Sequence, residues 1–231
     1  MKKRAVISTI ASIALAGAMC AGLAACGETA ESIKGEEVTA EQWAAALGEE
    51  SLKNFKVDFD VSNVAEYEKF SYEGTQKMNV KFVNGNQYIT MEGNGKVKGE
   101  IPDEMKEHFK ETEIKLDYYF DSEKMEFIDE VDGKWAYVTA SSTAPYAEGN
   151  DILEMLIDSD EYEDYEYSAD KKGYVLKDAE ADQSTVIKFK DGKLKAVYAV
   201  NTGEQDGTKY TMTISAIFAF GGQEVTLPTV A

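Results

Sequence analysis

The chain has 231 residues, with 43 Asp and Glu against 24 Lys and Arg, a formal net charge of −19, and Arg4 as its only arginine. Nucleic-acid phosphates are held by clustered Lys and Arg, so this balance argues against a nucleic-acid partner. One histidine, His108, and two cysteines, Cys20 and Cys26, single out no Ser-His-Asp or Cys-His arrangement and no ordinary zinc site.

The first element is Met1-Lys2-Lys3-Arg4 followed by an apolar or small-residue run from Ala5 to Ala25, with Ser8, Thr9 and Ser12 as its hydroxyls. A basic n-region before an apolar h-region predicts a secretory signal peptide over residues 1–25. No Lys or Arg cluster follows to stop transfer, so the run is not read as a permanent membrane span.

The residues before the break, Leu23-Ala24-Ala25-Cys26, resemble the lipobox of bacterial lipoproteins. Cys20 is the poorer candidate, because Met19 stands where a small residue is wanted. The resemblance implies cleavage before Cys26 and a thioether-linked diacylglyceryl group on its sulfur. Two acyl chains hold stably where one is marginal. Removing residues 1–25 makes the rest three charges more negative, which repels anionic headgroups. The lipid on Cys26 is therefore expected to anchor the protein unaided, outside the cytoplasm, on the bacterial cell membrane.

Residues 27–38, GETAESIKGEEV, show no usable periodicity and read as a flexible tether with a reach of roughly 20 Å as a coil. Residues 26–38 are thus expected to be the lipidated cysteine and tether, and 39–231 a single domain. Thr39 with Gln42 forms a capping box, and Val38 with Trp43 suits the accompanying staple. A first helix is predicted from there to about Leu52.

From Phe55 the period changes to two. Phe55, Val57, Phe59 and Val61 alternate with Lys56, Asp58, Asp60 and Ser62, the pattern of a half-buried strand. Asn84-Gly85 predicts a type I′ hairpin, with Met78, Val80 and Phe82 sharing a face with Ile89 and Met91. Pro102, Asp103 and Glu104 open a second predicted helix to about Lys110, which carries His108 on a solvent face. Asp132-Gly133 offers another turn before Lys134-Trp135-Ala136-Tyr137-Val138. Asn150 is placed as the cap of a third helix, with Ile152, Leu153, Leu156 and Ile157 as its apolar stripe.

The acidic run Asp158–Tyr167 lacks the Asp or Asn and the Gly that a calcium loop needs at its fifth and sixth positions. Tyr162 and Glu163 stand there, so it reads as a solvated loop or a guarded edge strand. Ser168-Ala169-Asp170-Lys171 has Ser-x-x-Lys spacing without a Lys-Thr-Gly element, and Gly93, Gly95 and Gly99 lack phosphate-loop spacing. At Asp191-Gly192 the alternation puts Ile187, Phe189, Leu194 and Ala196 on one face and Lys188, Lys190, Lys193 and Lys195 on the other. Tyr210, Met212, Ile214 and Ala216 alternate in the last strand. About eleven antiparallel strands are expected. No catalytic residue, metal ligand set or cofactor is assigned.

An anchor cysteine, an N-terminal helix, a long antiparallel meander with two inserted helices and the ending Phe220–Pro228 together resemble the LolA/LppX-like lipoprotein-carrier superfamily. The resemblance implies a mainly β (α+β) fold: a strongly curved half-barrel sheet with about three helices on its concave side. It also implies a non-enzymatic binder of an apolar ligand such as a lipid, lined by Phe55, Val57, Phe59, Val80, Phe82, Ile89 and Trp135. A lipid anchor and the lack of mature arginine depart from soluble carriers that move lipoproteins between membranes. The alternative is an envelope interaction module whose acidic, Tyr-bearing outer face meets a protein partner.

Overall fold

The computed structural model describes residues 29–103, 106, 113–138, 149–154, 156–157, 161–179, 182–205 and 207–230. The expected signal peptide, Cys26 and most of the second predicted helix lie outside them.

The protein is mainly β, an open, curved sheet of eleven antiparallel strands. These are β1 (Asn54–Glu66), β2 (Phe70–Val83), β3 (Asn86–Gly99), β4 (Ile114–Asp121), β5 (Glu126–Val131), β6 (Lys134–Val138), β7 (Tyr165–Ser168), β8 (Gly173–Leu176), β9 (Gln183–Lys190), β10 (Lys193–Gln205) and β11 (Thr208–Phe220). Their order is β6-β5-β4-β3-β2-β1-β11-β10-β9-β8-β7. The first and last strands pair at the centre, and β6 and β7, consecutive in the chain, lie on opposite edges.

The hairpin turns follow the chemistry of their residues. Asn84-Gly85, Asp132-Gly133 and Asp191-Gly192 all take positive φ at both positions, as type I′ turns demand. The expected register of β2 and β3 is present, with Met78 opposite Met91 and Val80 opposite Ile89. Of the acidic run, residues 158–160 lie outside the described residues, Tyr162–Asp164 form a 3₁₀ turn, and residues 165–167 enter edge strand β7, where Tyr165 is buried and Glu166 exposed.

Among the described residues there are two α-helices, fewer than the three expected: α1 (Ala40–Leu47) and α2 (Gly149–Glu154). The capping box of Thr39 and Gln42 is formed in both directions. α1 ends earlier than expected, at Gly48, and Ser51–Lys53 forms a separate 3₁₀ turn that buries Leu52. Trp43 and Ala46 of α1 and Ile152, Leu153, Leu156 and Ile157 at α2 share one core with the apolar sheet face. That face is called inner below.

Two further expectations are corrected. A β-bulge between Leu194 and Ala196 moves Ala196 to the outer face, opposite Lys188, while Val197 takes the inner position. And residues 29–38 are no free tether. Ala30 and Ile33 are buried against Ala196 on the outer face, with Tyr198 and Ile217 around them. The segment then passes beside the short strand β8: Gly35 N–H donates to Lys172 O at 2.9 Å, and Glu36 forms a bridge with Phe189. It reaches the inner side at Val38, whose N–H donates to the Tyr174 hydroxyl at 2.8 Å. The fold proper therefore begins at least ten residues before Thr39.

Candidate functional site

Register decides which side chains share the inner face. Phe55 faces Phe82 and Phe220, Val57 faces Val80 and Phe218, and Phe59 faces Met78 and Ala216. Across β3 and β4 the same rows continue through Gln87, Ile89 and Met91 to Phe120, Tyr118 and Leu116. Over β1–β4, β10 and β11 the inner positions carry no Asp, Glu or Lys. Burying a charge there without a partner would be costly.

At one end of the strands this face is roofed. Trp43 sits among four rings, Phe189 at 4.9 Å, Tyr165 at 5.1 Å, Tyr174 at 5.3 Å and Tyr162 at 5.8 Å between centroids. Such aromatic pairs each add about 0.5–1.5 kcal/mol beyond their buried area. Phe55 stacks on Phe82 at 5.3 Å. The residues chosen from the sequence lie in this packed zone: Phe55 and Val57 are 0 % exposed, and Phe59, Val80, Phe82 and Ile89 are all buried. They form the core beneath α1 and α2 rather than an accessible wall.

The accessible floor lies further along the same strands. Val61, Met78, Leu116 and Ala199 are half-buried and pack on the core from its margin. The next row runs from Ile114 through Gly93 and Gln76 to Val61. Gln76 spends its amide N–H on Met91 Sδ, so even the polar member of that row turns to an apolar neighbour. Sequence alternation contains these residues, but it holds no signal for where along a strand the helical roof stops.

Tyr118 stands beside this floor. Its ring meets Phe127 edge-on at 5.7 Å, and its buried hydroxyl has no hydrogen-bond partner among the described residues. Burial pushes its pKa well above the ordinary phenol value. The phenol is held neutral, a donor without an acceptor among the described residues.

Trp135 is corrected to the opposite face. It pairs with Glu130, and Ile128 two residues earlier pairs with Tyr119, an outer residue. Tyr88, Tyr119 and Trp135 form an outer row, with centroids 4.6 and 5.4 Å apart. Lys81 lies 5.7 Å from the Tyr88 ring, and Ile128 is fully covered. The outer face also holds a separate groove of about 360 Å³ at the tip of β10 and β11, lined by Glu66, Asp182, Glu204 and Lys209 among others. None of the sequence-chosen residues lines it.

Compared with known proteins, the chain matches no family model, no curated protein and no solved structure.

Proposed function

We propose that the protein is an extracytoplasmic lipoprotein, anchored through a lipid on Cys26, that binds or carries an apolar ligand such as a lipid on the inner face of its sheet. The observation that carries this reading is the inner face of β1–β4, β10 and β11, which carries no Asp, Glu or Lys, is roofed at one end by Trp43 and α2 and is left half-open at Val61, Met78 and Leu116. An acyl chain laid on that floor is removed from water at about 25 cal/mol per Å². Over β1–β4, β10 and β11 the described inner residues offer shape and apolar surface but no carboxylate or lysine, which favours a non-enzymatic reading. Membership of the LolA/LppX-like carriers is part of the same proposal. It is supported by the open curved sheet and by helices on its apolar side.

The test is lipid extraction from protein purified from membranes, followed by mass spectrometry and titration with a fluorescent fatty acid. Saturable uptake with a native-like near-UV aromatic spectrum is expected, which separates binding from dye uptake by a molten state. Met78→Asp should weaken uptake at least tenfold, about 1.4 kcal/mol, because it places a carboxylate on the floor. A folded wild-type protein that binds no lipid removes the carrier reading.

The outer aromatic row favours a second reading, an envelope interaction module. Tyr88, Tyr119 and Trp135 present half-buried rings beside edge strand β6, the residue types that anchor protein interfaces. Crosslinking from a photoreactive group at Trp135 to a single envelope protein, with no lipid in the purified domain, would select it.

A further inference from the structure

Residues 29–36 fix where the chain upstream leaves the fold. Ala30 N–H donates to Ser215 Oγ at 3.3 Å, and the Lys188 ammonium donates to the carbonyl oxygens of Ala30 at 2.8 Å and Glu31 at 2.6 Å. Ala30 and Ile33 are buried on Ala196 of the outer face. Cys26 lies three residues before Thr29, a chain length of at most about 11 Å when fully extended. The sulfur therefore cannot stray far from the outer face of β9–β11.

We propose that the outer face around this docked segment, at β8–β10, is the surface the domain lays on an anionic bilayer, with lysine ammonium groups meeting the phospholipid headgroups. The inference rests on the anchor reading at Cys26. It goes beyond that reading in giving the domain one orientation and the membrane a second, electrostatic contact.

Charge supports the choice of face. The chain is strongly acidic as a whole, yet Lys34, Lys171, Lys172, Lys190 and Lys193 gather on and beside the docked segment, all exposed. Among the described residues none of the five has a carboxylate within 4.0 Å. Three outer-face lysines of β1–β3 are held otherwise, Lys56 by Asp58 at 2.8 Å, Lys98 by Glu73 at 2.6 Å and Lys77 4.0 Å from Asp60, while Lys81 lies over the Tyr88 ring and Lys96, like the patch lysines, has no carboxylate within 4.0 Å among the described residues. Glu31, Glu36, Glu37, Asp170 and Asp191 share the region, and Glu36 is turned to the hairpin, where Oε2 accepts the Asp191 N–H at 3.3 Å. With Lys188 and Lys195 on the same face, lysines here slightly outnumber carboxylates, unlike the chain as a whole, a local balance that net charge alone conceals. The patch lies on and beside the docked segment that leads back toward Cys26, and its attraction for headgroups acts over about a Debye length.

The experiment is lysine acetylation footprinting by mass spectrometry, on the chain purified from membranes and bound to phosphatidylcholine vesicles with or without phosphatidylglycerol. A parallel sample of the chain from Cys26 onward is coupled through the Cys26 thiol to a maleimide lipid. Lys34, Lys172, Lys190 and Lys193 should slow by about fivefold on the phosphatidylglycerol vesicles relative to the neutral ones, while Lys96, Lys115 and Lys134 keep their rates. The double variant Lys190→Glu, Lys193→Glu should lose the slowing at Lys34 and Lys172. Protection spread evenly over the lysines, concentrated at β3–β6, or equal on neutral vesicles overturns the proposal. The mass of the Cys26 peptide reads the anchor separately: an unlipidated cysteine removes the anchor reading, and the maleimide-coupled sample still decides the face.

Discussion

The ammonium of Lys188 ends 2.8 Å from the carbonyl oxygen of Ala30, joining the middle of β9 to the start of the described chain. Lys188 is 3 % exposed and burial pulls its pKa down, yet its ammonium is satisfied by two backbone carbonyls. Replacing it by Met keeps the aliphatic stem and leaves both carbonyls without their donor. Lys188→Met should lower unfolding free energy by about 1–3 kcal/mol in urea titration. It should also expose residues 29–36 to limited proteolysis before the rest unfolds. Unchanged stability and cleavage would mean that the segment is held by Ala30 and Ile33 alone.

The Asn84-Gly85 turn makes a second prediction. Gly85 has φ +93°, and a Cβ added there would lie 2.8 Å from Ser122 Cβ. Gly85→Val should cost about 2 kcal/mol or more, since the left-handed conformation alone costs roughly 1–2 kcal/mol. Gly133, also at positive φ but with open space around it, should cost less when changed to Val. Equal denaturation midpoints for the two variants would remove the close approach to Ser122 from the account.

These turns were legible because two adjacent residues carry the whole signal. The central rows were legible too, since Phe55, Val57 and Phe59 alternate with charged neighbours. Strand β6 was not: Trp135, Ala136, Tyr137 and Val138 are apolar or aromatic on both faces, so alternation gives no direction, and only pairing with β5 turns Trp135 outward. The bulge before Ala196 is a one-residue shift without a local marker. The docking of residues 29–38 depends on Lys172, Tyr174 and Lys188, partners more than a hundred residues away, so a local reading sees only a polar coil. The accessible floor at Met78 and Leu116 was hidden for the same reason, because helix length and placement decide what stays uncovered.

Acid sensitivity is expected at the β4–β5 turn. Burial of Asp121 pushes its pKa up, but hydrogen bonds overcome this and hold it below the ordinary carboxylate value: from the Tyr137 hydroxyl at 2.9 Å and from the N–H groups of Lys124 and Glu123. A lowered folded pKa means that the carboxylate's contribution is complete above the unfolded value of 3.8 and is lost as pH falls through the folded one. Asp121→Asn should lower stability at neutral pH and flatten the fall in stability on the acid side. Parallel pH–stability curves for the two proteins would show that the acid limb is set elsewhere.

The last prediction turns on Tyr118. Its hydroxyl is buried without a partner among the described residues, so hydration is lost with no hydrogen bond gained in return. Removing one oxygen leaves the ring against Phe127 and relieves that penalty, so Tyr118→Phe should raise unfolding free energy by about 1 kcal/mol. The effect should grow in alkali. Burial raises the folded pKa above the unfolded value of 10.0, so the unfolded chain ionises first and the wild type loses this group's contribution as pH climbs past 10. Phenylalanine has no proton to lose, so the variant's alkaline limb should start later. Urea midpoints at neutral pH and above pH 10 measure both parts. A variant less stable than wild type at neutral pH would show that the hydroxyl has a partner in solution, and a phenol on the floor's margin would then be the first place to look for a bound ligand's polar end.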